Sequence, residues 1–310
     1  MSNLKPHANT VLLIGSDEMS YSIAVCLLQH KYKVDFLTDR SLEAELAIKQ
    51  HAEDIHEATG RFSVALESLS FIDQVEDAAS YLLAIIHNKE NLQEKIAVLH
   101  DLEDTIDSDL PVLINFESYS LSELQEACLY PGRLLGCNWA YPAHTTYFQE
   151  IISNAQTHAE LADEICELSK SWDKDPYCVL EKGIRSKMMS ALVREAFYLV
   201  ENGYASVEDI DRACRNDAGY YLPFAGNCRY MDLMGGQAYG TVMKDLNPEL
   251  STNTHLPSFF TELIRNGNTG MESNRGVYNY TDEDVDRWKK LINEFAYKIQ
   301  PIINKYPFNY

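Results

Sequence analysis

The sequence predicts an α/β chain in two parts, a doubly wound and mostly parallel sheet followed by an all-helical domain. Three observations predict it. Short apolar runs alternate with segments of helical spacing through the first half. The first apolar run ends at Gly15 and leads straight into a helix-patterned stretch. Beyond residue 182 the strand signal stops and long helical periodicity takes over.

The elements follow in order. Residues 10–15 form a buried strand, and Ile23, Val25, Leu27 and Leu28 mark a helix over 21–30. A second strand covers 33–38 and a helix 42–59. Strands are expected at 80–86, 110–115 and 133–138, with helices at 91–102 and 120–128 between them. In the second half, apolar positions 188, 189, 192, 193, 196, 199 and 200 give one amphipathic helix. Glu208, Asp209 and Asp211 supply an acidic first turn for a helix over 207–215. A long helix over 282–305 is expected to break or kink at Pro301. The domain boundary is placed at 181/182, with a dinucleotide-binding type of domain over 1–181 and a substrate and dimerisation domain over 182–310.

With 310 residues the chain is long enough for two domains and a sizeable core. Its 47 acidic against 26 basic side chains give a net charge of -21, which argues against nucleic acid or an anionic membrane surface as partner. Seven scattered cysteines without a C-x-x-C pair read as free thiols in a reducing compartment. Residues 1–10 hold no apolar signal core and no run is long enough to span a membrane, so the expected location is the cytoplasm. No His/Cys/Asp/Glu set has metal-ligand spacing, so no metal is expected.

A strand–turn–helix start is where G-x-G-x-x-G holds a dinucleotide in a Rossmann-like fold. Its glycines permit the tight turn, the approach of the pyrophosphate and close helix packing. Here the six positions read Gly15-Ser16-Asp17-Glu18-Met19-Ser20, so only the first glycine is kept. Asp17 and Glu18 add like charge against a pyrophosphate, a penalty of roughly 1–4 kcal/mol. Asp39 falls near the end of the second strand, where an acid would hold ribose hydroxyls; the plain alternative is a solvated loop acid. Gly15, Asp17, Met19, Ser20 and Asp39 are therefore the candidate cofactor residues.

Residues 138–152, Asn138-Trp-Ala-Tyr-Pro-Ala-His144 through Glu150-Ile-Ile152, resemble the His-Trp-x-Asn-Pro-Pro-His and Val-Glu-Val strings of the 3-hydroxyacyl-CoA dehydrogenase family, whose relatives include carnitine and gulonate dehydrogenases. Residues 192–201 and 205–211, Asn247-Pro-Glu-Leu-Ser251 and 270–278 are similar to further strings of that family, in the same order. The resemblance spans nearly the whole chain. It implies NAD as cofactor, an acyl-CoA-like small molecule as substrate and a homodimer through the helical domain.

The family's reaction, as the resemblance implies it, oxidises a secondary alcohol by hydride transfer. A His takes the hydroxyl proton, a Glu orients it, and a Ser and an Asn hold the substrate oxygen. Glu150 matches the Glu, Asn138 stands at the His, Tyr119 at the Ser (with Ser118 or Ser120 one register away), and Lys187 at the Asn. An amide accepts no such proton. His144 replaces the base only if its loop presents it to Glu150; otherwise it is structural. Tyr119 and Lys187 would make an acid–base pair if brought together, since a nearby ammonium lowers a phenol pKa. The plain reading is a packed Tyr and a solvated Lys. The sequence thus favours a divergent member that keeps fold and cleft, lapsed or repurposed for another reaction or for small-molecule binding. The alternative is an active NAD(P)-dependent oxidoreductase of 3-hydroxyacyl-CoA or a related 3-hydroxy acid with a relocated base.

Overall fold

A computed structural model describes residues 4–5, 8–60, 63–75 and 81–306, in two compact units, 1–186 and 187–310. Ser80, expected to open a strand, and part of the stretch 1–10 lie outside the described residues.

The first unit is built on an eight-stranded sheet: β1 (Thr10–Gly15), β2 (Lys33–Leu37), β3 (Leu69–Ile72), β4 (Tyr81–His87), β5 (Val112–Ile114), β6 (Leu134–Trp139), β7 (Phe148–Ser153) and β8 (Asp175–Leu180). The spatial order is β3-β2-β1-β4-β5-β6-β7-β8. Every neighbouring pair is parallel except β6 and β7, which run antiparallel. The strand order reverses between β1 and β4, so the carboxyl ends of these two strands form the crevice where such sheets bind ligands.

The helices of this unit are α1 (Glu18–Gln29), α2 (Ser41–Thr59), α3 (Leu92–Glu103), α4 (Leu121–Gln125) and α5 (Leu161–Lys170). The central strands β1 and β4 are buried along most of their length, as parallel strands covered on both faces must be. Residues Leu12, Ala84, Ile86, Leu113, Ile114 and Phe116 form the heart of the core.

Four elements of this unit are absent from the sequence expectation: β3, β7, α5 and β8. β3 and β8 are the two edges of the sheet, where only partial burial weakens the alternation. β8 even carries Pro176, which an edge strand tolerates because half its N–H groups need no partner.

The helical run begins with α6 (Ile184–Glu201), four residues before the predicted start. It continues through α7 (Val207–Ala213), α8 (Gly219–Met234), α9 (Gly236–Leu246), α10 (Ser258–Arg265) and α11 (Asp282–Lys305). α8 contains Gly226 at φ 66°, a left-handed kink that a side chain would strain. α11 continues through Pro301, so of the expected break or kink there is no break. Among the described residues of 187–310, only Ala225, Ser251 and Ala296 are buried.

Cys166 on α5 and Cys178 on β8 face each other with their Cα atoms 7.4 Å apart, beyond the reach of an unstrained disulfide, and the other five cysteines are free.

Trp172, fully buried after α5, ties this edge of the sheet to its centre. Its ring stacks on Trp139 of β6 at 5.9 Å and meets Tyr32 edge-on at 6.1 Å. Trp172→Ala is expected to cost about 3–5 kcal/mol of stability, read from the midpoint of urea unfolding.

Candidate functional site

The turn after β1 is shaped by crowding. A Cβ on Gly15 would lie 2.6 Å from both the His87 carbonyl oxygen and the Ser20 Cβ, so no larger residue fits. Asp17 then takes the N-cap of α1 in extended backbone. Its carboxylate accepts the Ser20 N–H at 2.8 Å, while the Ser20 hydroxyl accepts the Asp17 N–H at 3.0 Å. This reciprocal capping box uses donors that a bound anion would otherwise meet.

The Asp17 carboxylate is also bonded by His87 Nδ1, at 3.1 and 3.2 Å to its two oxygens. Burial opposes its charge, but the His87 hydrogen bond and charge and the Ser20 N–H outweigh burial and hold its pKa below the usual 3.8. At the end of β2, Asp39 is exposed and accepts a hydrogen bond from the Ser16 hydroxyl.

Gly15, Asp17 and Asp39 line one cleft of about 770 Å³ with Leu37, Arg40 and Val98. Met19 and Ser20 are not among the residues lining it, and Ser20 is consumed by the cap. Of the five candidate cofactor residues, the fold thus brings three to the crevice.

The second cluster forms where β6 and β7 pair antiparallel, which sets Asn138 opposite Glu150. Both are buried. The Asn138 amide nitrogen donates to Glu150 Oε2 at 3.0 Å and to the Phe116 carbonyl at 2.9 Å; its oxygen accepts the Phe116 N–H at 3.1 Å. Glu150 Oε1 accepts the Tyr177 hydroxyl at 3.0 Å and two N–H groups of the first turn of α6, Ile184 at 2.8 Å and Arg185 at 3.2 Å. The carboxylate therefore sits at a helix N-terminus, where the backbone favours negative charge. Gly183 passes so close that a Cβ would strike Glu150. Burial, and then the negative charge of Glu150, push the Tyr177 phenol well above its usual range. The Asn138 amide does not take a proton from a substrate, because it is neutral and its oxygen is engaged by the Phe116 N–H.

His144 lies on the loop between β6 and β7. Its ring packs on His51 of α2 at 4.7 Å, and its loop is pinned by Lys174, which donates to the Ala143 and Thr146 carbonyls. Burial, with His51 and Lys174 nearby, drives the His144 pKa well below 6.5, and burial likewise lowers that of His51. The Tyr119 hydroxyl accepts the Leu92 N–H at the start of α3, at 3.2 Å, and its ring packs on the core. Lys187 is exposed on α6. Ser118 is held by Glu90, and Ser120 caps α4 with Glu123.

The sequence reading passed over Lys95. It is fully buried on α3, donates to Asn88 and Asn115 side-chain oxygens at 2.8 and 3.1 Å, and lies 3.7 Å from Glu90. Burial, partly offset by Glu90, brings its pKa down to about 8. A signal was available: Lys95 shares the inward spacing of Leu99 and Leu102, a core position held by a cation. Among the described residues no His/Cys/Asp/Glu group is placed to hold a metal, and no described helix is long and apolar enough to cross a membrane.

Comparison with known proteins shows the family. Residues 10–182 match the family model of the 3-hydroxyacyl-CoA dehydrogenase NAD-binding domain, and 184–280 match that of its C-terminal domain. The chain belongs to the 3-hydroxyacyl-CoA dehydrogenase family. It is 27% identical over 263 residues to a 5-formyl-3-hydroxy-2-methylpyridine 4-carboxylate 5-dehydrogenase of Mesorhizobium japonicum, covering 81% of this chain and 85% of that one. It is 24% identical over 268 residues to an L-carnitine dehydrogenase of Oceanobacillus iheyensis, covering 84% and 86%. A crystal structure of a 5-formyl-3-hydroxy-2-methylpyridine 4-carboxylic acid 5-dehydrogenase, described as an NAD+-dependent dismutase, superposes with a TM-score of 0.88 over 96% of this chain and 99% of that one; at 24% identity this shows the shared fold.

The buried histidines set a pH dependence. Their folded pKa values lie below the unfolded 6.5, so the unfolded chain binds more protons in acid. Their stabilisation is complete above pH 6.5 and is lost as pH falls below it. His144→Gln should flatten the fall in unfolding free energy between pH 7.5 and 5.5 by up to about 1.4 kcal/mol, read by urea titration at each pH.

Proposed function

We propose that this family member keeps the fold and cleft of its relatives without the NAD-linked oxidation of 3-hydroxyacyl substrates, and serves another reaction or the binding of a small molecule. The observation that carries the reading is the buried Asn138 amide bonded to Glu150, in the place where the resemblance sets the catalytic His. The cofactor loop supports it. The Asp17 carboxylate caps α1, so the residues present do not fit a pyrophosphate at that helix end.

The assay is NADH formation at 340 nm with a short and a medium 3-hydroxyacyl-CoA. Turnover is expected to be negligible, since loss of a positioned base costs about 10²–10⁴ in rate. Asn138→His alone should not restore it. Robust turnover by the unmodified protein would overturn the reading.

A second reading is favoured by one observation. His87 and Asp17 form an imidazole–carboxylate pair at the carboxyl ends of the central strands. An active NAD(P)-dependent oxidoreductase with a relocated base would use that pair, and its turnover would vanish in His87→Ala and survive in His144→Gln.

The assembly we propose is a homodimer through the helical unit, with the first domain ending near 181 and the second handling substrate and dimerisation. What supports it is the poverty of that unit's own core: Met188, Met189, Leu192, Leu233 and Met234 are all exposed. Domains of this size bury most of their apolar side chains, and a second copy would cover these. The cytoplasm is the proposed location, on the five free cysteines. Light scattering at micromolar concentration should give twice the 35.3 kDa chain mass. A mass of one chain would count against the dimer.

A further inference from the structure

We infer that the cleft at the carboxyl ends of β1, β2 and β4 takes a ribonucleoside carrying no phosphate, in place of a dinucleotide. The inference rests on the cofactor part of the proposed function and names the ligand class for that site.

The cleft has two ends of different character. At the β2 end, Asp39 offers an exposed carboxylate. Ser16 bonds one of its oxygens, and lone pairs remain for the two hydroxyls of a ribose. Ile14, Leu37, Ala97 and Val98 give the apolar surfaces against which a flat base packs. The volume of about 770 Å³ is ample for such a molecule.

At the α1 end every feature that would receive phosphate has been turned inward. Ser20 replaces the glycine that admits the backbone, and its side chain fills the space beside Gly15. The N–H groups of Asp17 and Ser20 bond each other's side chains. The Asp17 carboxylate stands at the helix terminus as an anion built into the chain. His87 Nδ1 is spent on the Asp17 carboxylate. The wider lining is acidic as well. Asp17, Asp39, Asp73 and Glu94 outnumber Arg40 and Lys89, and Arg40 lies 3.6 Å from Glu43. A neutral nucleoside meets the favourable end and leaves the hostile one alone. Each phosphate added brings negative charge toward Asp17.

The test is calorimetric titration of the full chain with adenosine, ADP and NAD, repeated on Asp17→Asn and Asp39→Asn. Asparagine is as good an N-cap as aspartate, so the first variant removes charge and keeps the helix start. Circular dichroism confirms that both variants fold. Adenosine should bind at least about tenfold more tightly than ADP or NAD, a difference of one decade in Kd. Asp17→Asn should narrow that gap by about tenfold and leave adenosine affinity within about twofold. Asp39→Asn should weaken adenosine by about tenfold.

ADP or NAD binding as tightly as adenosine to the unmodified protein would overturn this inference and the cofactor part of the proposed function together. No binding of any of the three would overturn the inference alone. An unchanged gap in Asp17→Asn, or unchanged adenosine affinity in Asp39→Asn, would overturn the placement of the ligand.

Discussion

The Glu150 carboxylate has no exposed surface, and three elements close on it. β6 supplies the Asn138 amide, β8 the Tyr177 hydroxyl, and the start of α6 two backbone N–H groups. Taking a charge out of water costs several kcal/mol unless donors replace the lost hydration. Here the replacement is complete enough that the group works as a structural node. It fixes β7 between its neighbours, sets the first turn of α6, and requires glycine at 183 because no side chain fits beside it. An imidazole at 138 would make the same carboxylate the orienting member of a proton-transfer pair. An amide there keeps the hydrogen bond to Glu150 and brings no imidazole nitrogen.

The nucleotide turn follows a parallel logic. A helix N-terminus must satisfy its free N–H groups, and either a bound phosphate or a capping side chain does so. In this chain Asp17 and Ser20 do it from within, and His87 from β4 seats the carboxylate. The fold is served equally well by either solution. Lys95 adds a buried cation just beneath, tied to the loops after β4 and β5 through Asn88 and Asn115, so the strand ends are held by polar bonds as much as by packing.

How far the sequence carried the reading depended on where each residue sits. The central strands were legible because parallel strands buried on both faces are continuous apolar runs, as in Val11–Leu13 and Leu82–Ile86. The edges β3 and β8 were not, since none of their residues is fully buried and the hydrophobic pattern fades. Sequence by itself determined the two-part architecture, the family, and that Gly15 is the one glycine in the six-residue turn and an amide stands at 138. These are statements about which residue stands at which position in a repeating pattern. Only the tertiary structure decided that Asp17 is a cap seated by His87, that His144 packs on His51, and that Cys166 faces Cys178. In each case the partners lie on different elements, 70, 93 and 12 residues apart in the chain, and local pattern holds no record of which side chains the sheet will bring together.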